Sequence, residues 1–507
     1  ETQFLLWAIW PASVLSLIGL SLLGFDLLPT NLRVLLGSHH KSLILWGIAA
    51  LGATLRFRAY FEERSLWLDE VLLATNFRDK DMGSLLVSSL SNSQSAPPGF
   101  LMLVEAFTSA FGLDELVLRL VPFAFGIGAV ILAVPVAKLL LKFFPAQIAF
   151  VSLLAFSPAL VYYSQELKQY SSDVFVTIAV LWMWARRRDL SSTWFYGLAG
   201  FFLVQVSITA VFSLTALGVL LLVEGFLVQR SVIAVAIRIR AHAITFGLWL
   251  SGGLIHGAYL LISPPNVERM RPLWESTAGF PSSDGPIGFL MWAYSRMSQL
   301  VWLAFGHQGI AAPLLDGPEY FTIPALILLG ATVAISIRGV APALVLIGIS
   351  YFVSILGLYP FSSRLSLYLI PAVALTAASG VSLLDPTRYS ILGRLVGLSI
   401  PLLFIWPVLT STATLAKPES KYDMNWLILE VESRSDREDL FTTADEFVYS
   451  WYRPSGPGAG AKYISLDSLK DSPESIASKR LWVVSFGGLE TLTVKDSFHD
   501  SHQILCT

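Results

Sequence analysis

Apolar residues run for bilayer-length stretches through most of the chain, and short polar connections separate them. A helix needs about 20 apolar residues to cross a hydrocarbon core. On that scale the pattern predicts spans at 4–28, 41–60, 121–142, 146–163, 172–185, 194–208, 210–227, 240–262, 320–337, 341–359, 365–384 and 391–414. The expected class is therefore an all-α polytopic membrane protein, with about 12 transmembrane helices. Two apolar segments do not fit as crossings. Residues 100–111 are too few, and 287–305 carries Arg296, Ser298 and Gln299. Both are expected as interfacial helices lying along the membrane surface. Residues 91–99 read Ser-Asn-Ser-Gln-Ser-Ala-Pro-Pro-Gly, an irregular turn leading into the first of them.

From Lys417 the pattern changes. Charges, Asp and Ser become common, and short apolar runs such as 481–485 have the length of strands. Helices are expected at 423–432 and 445–452. Three regions follow: 1–40, an extra N-terminal transmembrane helix and its cytoplasmic connection; 41–416, the main transmembrane domain with long outer loops 61–120 and 263–319; and 417–507, a small soluble α/β domain. The run 4–28 is too long for the apolar core of a signal peptide and lacks a basic start, so it is expected to remain as a span.

Composition agrees with this class: 54% of residues are hydrophobic, only 14% are charged, and the net charge is −2. No basic stripe exists to hold a nucleic acid. The single cysteine, Cys506, excludes an intrachain disulfide framework and a thiolate metal site. Basic residues concentrate in five connections: Arg186 to Arg188; Arg230, Arg238 and Arg240; Arg338; Arg388 with Arg394; and Lys138 with Lys142. With the spans above, all five fall on one side, which is then cytoplasmic. The other side receives 61–120, 164–171, 263–319, 360–364 and the region after 415. Arg56, Arg58 and Arg64 run against that rule and are open to a snorkelling or a functional reading.

That outer side collects the candidate chemistry. Asp69 and Glu70 stand side by side in Ser65-Leu66-Trp67-Leu68-Asp69-Glu70, just beyond a span, where unpaired carboxylates are costly. Residues 162–170 read Tyr-Tyr-Ser-Gln-Glu-Leu-Lys-Gln-Tyr and supply Tyr163, Glu166, Lys168 and Tyr170. Glu268, Arg269 and Arg271 lie in a third outer segment, and Tyr359-Pro360-Phe361-Ser362-Ser363-Arg364 forms a fourth. A carboxylate can take a proton from a hydroxyl or amine. Arg and Lys can hold a phosphate and neutralise charge on a phosphate leaving group. Acids and cations beside apolar walls suit a substrate with a phosphate head and a lipid tail. The bland readings stand beside this: adjacent acids also serve a helix start, and Arg269, Arg271 and Arg364 also serve as surface or interfacial anchors. Gly126-Ile127-Gly128 lies inside a span with no preceding strand and reads as packing rather than a nucleotide loop.

The order of these stretches resembles the GT-C superfamily of integral-membrane glycosyltransferases, of the protein mannosyltransferase and aminoarabinose transferase type. The similar stretches are Leu66-Trp67-Leu68-Asp69-Glu70, Ala96-Pro97-Pro98-Gly99-Phe100, Leu118-Arg119-Leu120-Val121-Pro122, the segment 163–170, and Tyr359 to Leu365 leading to Pro371. They span roughly residues 41–384. The resemblance implies a polyprenyl-phosphate sugar donor and makes 41–416 a catalytic domain. It implies Asp69 as the base and Glu70 as its support, with inversion at the sugar carbon. Glu166, Lys168, Tyr170, Arg364, Tyr163 and Arg269 would then bind substrate. Such a protein is expected in the cytoplasmic (inner) membrane of a cell envelope, with membrane lipids around it and an acceptor that is a protein, a lipid or a glycan. No metal ligand set is assured, though a divalent ion, Mg or Mn, at Asp69 stays open. The chain departs from the pattern at Lys168, where the family often has Arg, and at Ser207-Ile208-Thr209-Ala210, where it often has a His-Tyr pair. Two other classes compete. A non-catalytic scaffold would bind a partner through its C-terminal domain; a lipid or sugar transporter would place ionisable groups near mid-bilayer in two related halves.

Overall fold

A computed structural model describes residues 40–62, 64–187, 193–229, 231–263, 267–281, 285–305, 319–385, 428, 440–443, 446–453, 462–463 and 481–484. The expected spans 4–28 and 391–414 lie outside the described residues, as does all but residue 428 of the helix expected at 423–432. In chain order the α-helices are α1 (His40–Tyr60), α2 (Leu68–Asp79), α3 (Met82–Val87), α4 (Pro98–Phe111), α5 (Glu115–Leu140), α6 (Phe144–Phe156), α7 (Pro158–Tyr163), α8 (Tyr170–Ala185), α9 (Thr193–Val206), α10 (Ala210–Gln229), α11 (Val232–Ala241), α12 (Ala243–Ile262), α13 (Val267–Ser276), α14 (Gly285–Phe305), α15 (Glu319–Ile355), α16 (Ile370–Val381) and α17 (Glu446–Tyr452). The strands are β1 (Leu440–Thr443), β2 (Lys462–Tyr463) and β3 (Leu481–Val484).

The chain forms two compact units. One holds the described residues of Glu1–Glu62, Met82–Ser89 and Ser95–Glu419; the other holds those of Glu63–Asp81, Leu90–Gln94 and Ser420–Thr507. The first is helical. Among the described residues, four helical stretches are long and apolar enough to cross a membrane: His40–Tyr60, Glu115–Leu140, Ala243–Ile262 and Arg364–Val381. This is a helical membrane protein.

The helical unit packs through small residues, which let backbones approach where no hydrophobic effect separates helices from lipid. Helices α9 and α12 lie against each other. A Cβ at Gly200 would stand 2.1 Å from the Trp249 indole nitrogen, which instead donates to the Tyr196 carbonyl at 2.9 Å. Gln205 Nε2 donates to the Gly252 carbonyl at 3.0 Å on the same seam. Helices α1, α5, α6, α8, α15 and α16 share the main core, with Leu45, Val130, Val134, Phe150, Ile178 and Ala374 fully or almost fully buried.

Four expected spans differ in detail. The span at 146–163 is two helices, because Pro158 has no N–H to continue the ladder and the chain turns at Ser157. The spans expected at 320–337 and 341–359 are one continuous helix of 37 residues, about 55 Å long. The connection expected at Arg338 lies inside this helix, which continues through Gly339 and Pro342. The span at 365–384 begins as a 3-10 turn, Ser363–Leu369, before α16. The segments on either side of α14 and α15 are fastened together. Ser354 Oγ and the Phe361 amide each donate to the Gly279 carbonyl at 2.8 Å, and the Thr277 and Ser362 hydroxyls are 3.2 Å apart.

The second unit combines α2, the turn Ser91–Ser93 and the described C-terminal residues. Its strands pair in parallel in the order β2-β1-β3, with Leu440 opposite both Lys462 and Leu481. Parallel neighbours need a crossover connection, and α17 lies in the one from β1 to β2. Helix α17 packs on α2.

Candidate functional site

The acid pair occupies the first turn of α2. Negative charge is favoured there by the helix dipole and its open N–H groups. Asp69 is half-buried and Glu70 fully buried. Glu70 Oε2 accepts the Trp67 amide at 3.4 Å, reaching back over the turn as a cap would. Both acids are engaged within the protein. Behind them Val71, Leu73 and Ala74 are fully buried and fix the helix face. Farther along α2, the Asn76 side chain accepts the Ser91 amide at 2.7 Å and Asn92 Nδ2 donates to Thr75 Oγ1 at 3.1 Å.

In the helical unit, the connection from α7 to α8 is a buried loop. Ser164, Glu166 and Leu167 are fully enclosed, and Lys168 is 6% exposed. Its turns are closed locally: Ser164 Oγ and Gln165 Nε2 both donate to the Val161 carbonyl, at 2.6 and 3.0 Å, and Ser171 Oγ donates to that of Tyr163 at 2.9 Å. Gly126 on α5 allows the loop to settle, since a Cβ there would stand 2.5 Å from that of Ser164. The Gly126-Ile127-Gly128 stretch is a packing device. The rings of Tyr163 and Tyr170 meet edge to face, with centroids 5.3 Å apart. The 3-10 turn Ser363–Leu369 lies against α8 and carries Arg364, whose guanidinium sits 6.0 Å from the Tyr170 ring centre. Residues almost 200 positions apart thus share one end of the bundle. A narrow cavity opens below, lined by Arg56, Leu160, Tyr163, Tyr170, Ser171 and Leu367 among others.

The same end holds a carboxylate that the sequence reading passed over. Asp173, 3% exposed in the first turn of α8, accepts from Ser207 Oγ at 2.5 Å. Ser207 Oγ lies 3.2 Å from that of Thr209 and also accepts the Ala210 amide at 3.1 Å, while Ser172 Oγ donates to the Val206 carbonyl at 2.7 Å. Ser207 and Thr209, noted only as a departure from a family pattern, lock the α9–α10 turn onto the start of α8. The signal was present: an acid inside an otherwise apolar run. Tyr359 lies nearby, its ring 5.4 Å from Phe212. Burial first, then the Asp173 carboxylate, push its hydroxyl well above the ordinary tyrosine value, so it stays a neutral donor.

Of the expected site residues, Tyr163, Glu166, Lys168, Tyr170 and Arg364 share this region of the helical unit. Asp69 and Glu70 belong to the other unit. Arg269 falls on α13, and its side chain lies outside the described residues. Its neighbour Arg271 is a surface charge, paired with Glu275 at 2.9 Å with both side chains half-exposed. Arg56 does not snorkel. It is 1% exposed and donates to the carbonyls of Leu154, Ala155 and Gly52 at 3.0, 2.8 and 3.0 Å. Among the described residues no three His, Cys, Asp or Glu side chains gather as a metal site.

No protein-family model and no curated protein matches the chain. Two solved structures are similar in overall path. ArnT from Cupriavidus metallidurans in its apo state is 13% identical, with a TM-score of 0.46, over 84% of this chain and 87% of that one. The oligosaccharyltransferase of Archaeoglobus fulgidus, complexed with zinc and sulfate, is 14% identical, with a TM-score of 0.44, over 83% of this chain and 62% of that one. Scores of this size do not by themselves assign an activity.

Proposed function

We propose that the protein is a GT-C-type membrane glycosyltransferase, moving a sugar from polyprenyl phosphate to an acceptor at the outer face of the cytoplasmic membrane. The observation that carries the reading is the gathering of Tyr163, Glu166, Lys168, Tyr170 and Arg364 at one bundle end. These come from two of the five stretches whose order resembles that family, and they place a buried cation and a buried carboxylate on one short loop. Arg364 is steadied on the Tyr170 ring and presents a fork suited to phosphate; Lys168 adds a second positive charge. Tyr163, Glu166 and Arg269 complete the donor contacts.

The Asp69 carboxylate takes the proton of an acceptor hydroxyl or amine as its oxygen or nitrogen attacks the anomeric carbon. The bond from that carbon to the phosphate oxygen breaks on the opposite side, and polyprenyl phosphate leaves with the electron pair. The carbon inverts. Glu70 holds the first turn of α2, and so Asp69, by its bond to the Trp67 amide. The topology that suits this reading keeps the basic connections at 138–142, 186–188, 230–240 and 388–394 inside; Arg338, within α15, is no longer one of them. The same topology puts 61–120, 164–171, 263–319, 360–364 and an α/β domain at 417–507 outside. The fastening of 277–279 to 354–362 supports one side for both.

Donor binding tests the phosphate assignment. Purified protein is titrated with a polyprenyl-phosphate sugar and with the phosphate-free polyprenol, following thermal stabilisation. Arg364→Gln is expected to weaken the first by roughly tenfold and leave the second alone. Equal binding of the two lipids by the unmodified protein would remove phosphate recognition from the account.

A further inference from the structure

We infer that the C-terminal segment positions the acid-bearing helix, with Tyr452 as the positioning residue; this rests on the reading of Asp69 as the base. Helix α2 has only 12 residues, a length at which a helix relies on its packing to persist. Its N-cap position is Trp67, in extended conformation and with no side-chain cap bond. An indole can only donate, so it cannot take up an open N–H. The helix start is fastened by its own Glu70, on the Trp67 amide, and the residue before it is left for a group from elsewhere in the chain to hold.

Tyr452 brings one. Its hydroxyl accepts the Leu66 amide at 2.6 Å, three residues before Asp69. The preceding residue, Trp451, faces the far end of the same helix, where the Arg78 guanidinium lies 5.5 Å from its ring centre. Both come from the last turn of α17, whose Val448 and Tyr449 are buried. In the chain that helix falls between the paired parallel strands β1 and β2. Asn76 and Thr75 hold the second half of α2 through the turn at 91–93. Tyr452 reaches the first half, where the acids are. A shift of about 1 Å in a reacting group can cost up to a hundredfold in rate, so a hydroxyl that sets the entry of α2 acts on the base without touching substrate.

The test uses the full chain and Tyr452→Phe, which keeps the ring and removes the acceptor. Amide hydrogen exchange over residues 66–72 is expected to quicken by roughly threefold to tenfold, while α8 is unchanged. With polyprenyl-phosphate hexoses as donor probes and membrane extract supplying acceptor, kcat is expected to fall over the same range, with donor KM within about twofold. Trp451→Phe retains an aromatic face for Arg78 and is expected to stay near the unmodified values. Unchanged exchange in Tyr452→Phe overturns the inference, and so does quickened exchange with unaltered kcat. If the unmodified protein transfers no sugar from any donor, the transferase reading fails, and exchange alone then decides whether the segment holds α2.

Discussion

A guanidinium inside a bilayer-length helix needs acceptors, and Arg56 finds them where α6 breaks. Pro158 cannot donate to the Leu154 carbonyl, and the turn at Ser157 takes the chain away from that of Ala155. Arg56 fills both vacancies. Replacing it with Ala leaves buried carbonyls unsatisfied, at about 1–3 kcal/mol each, so Arg56→Ala is expected to lower the thermal midpoint in detergent clearly. In a Pro158→Ala background the ladder has an N–H to offer again, and the same substitution is expected to cost less. Equal losses in the two backgrounds would show that Arg56 serves something other than the break. In the sequence, Arg56 was visible only as an exception to a charge rule. Its role was illegible there because the Leu154 and Ala155 carbonyls lie almost 100 positions away and are backbone atoms, which no residue pattern records.

Elements were legible where periodicity and length agree. Helices α1, α5, α9, α10 and α12 fall close to their expected spans, and α17 and β3 were anticipated from short runs. The misplaced boundaries all sit at residues whose effect depends on context: Arg338 inside α15, Ser157-Pro158 inside an expected span, and the 3-10 start before α16. The buried loop at 164–169 is set by one close approach. Gly126→Val forces a side chain into Ser164 and is expected to cost about 1–3 kcal/mol and to raise the donor KM by displacing Glu166 and Lys168. Gly253→Ala, which meets open space, is the control and should change neither quantity. A donor KM untouched in a folded Gly126→Val protein would separate that loop from donor binding.

At the scale of the whole molecule, the residues proposed for the chemistry belong to two units. One gathers the cations, tyrosines and buried Glu166 at a bundle end; the other carries the acid pair on a short helix braced by C-terminal residues. Chain order placed the acid pair with the membrane helices, because it follows α1 directly; its packing partners at 451–452 are remote and lie beyond a change of composition. The ordered motifs were readable in the sequence, and so was the class. The Asp173–Ser207 bond and the Tyr452 contact were not, since each joins residues of ordinary type across distant segments. The central claim is that Asp69 takes the acceptor's proton. The most direct measurement is sugar transfer by purified protein from polyprenyl-phosphate sugars with membrane extract as acceptor, comparing the unmodified chain with Asp69→Asn. The expected result is a kcat lower by about 10²–10⁴-fold with donor binding retained; transfer at the unmodified rate would contradict it.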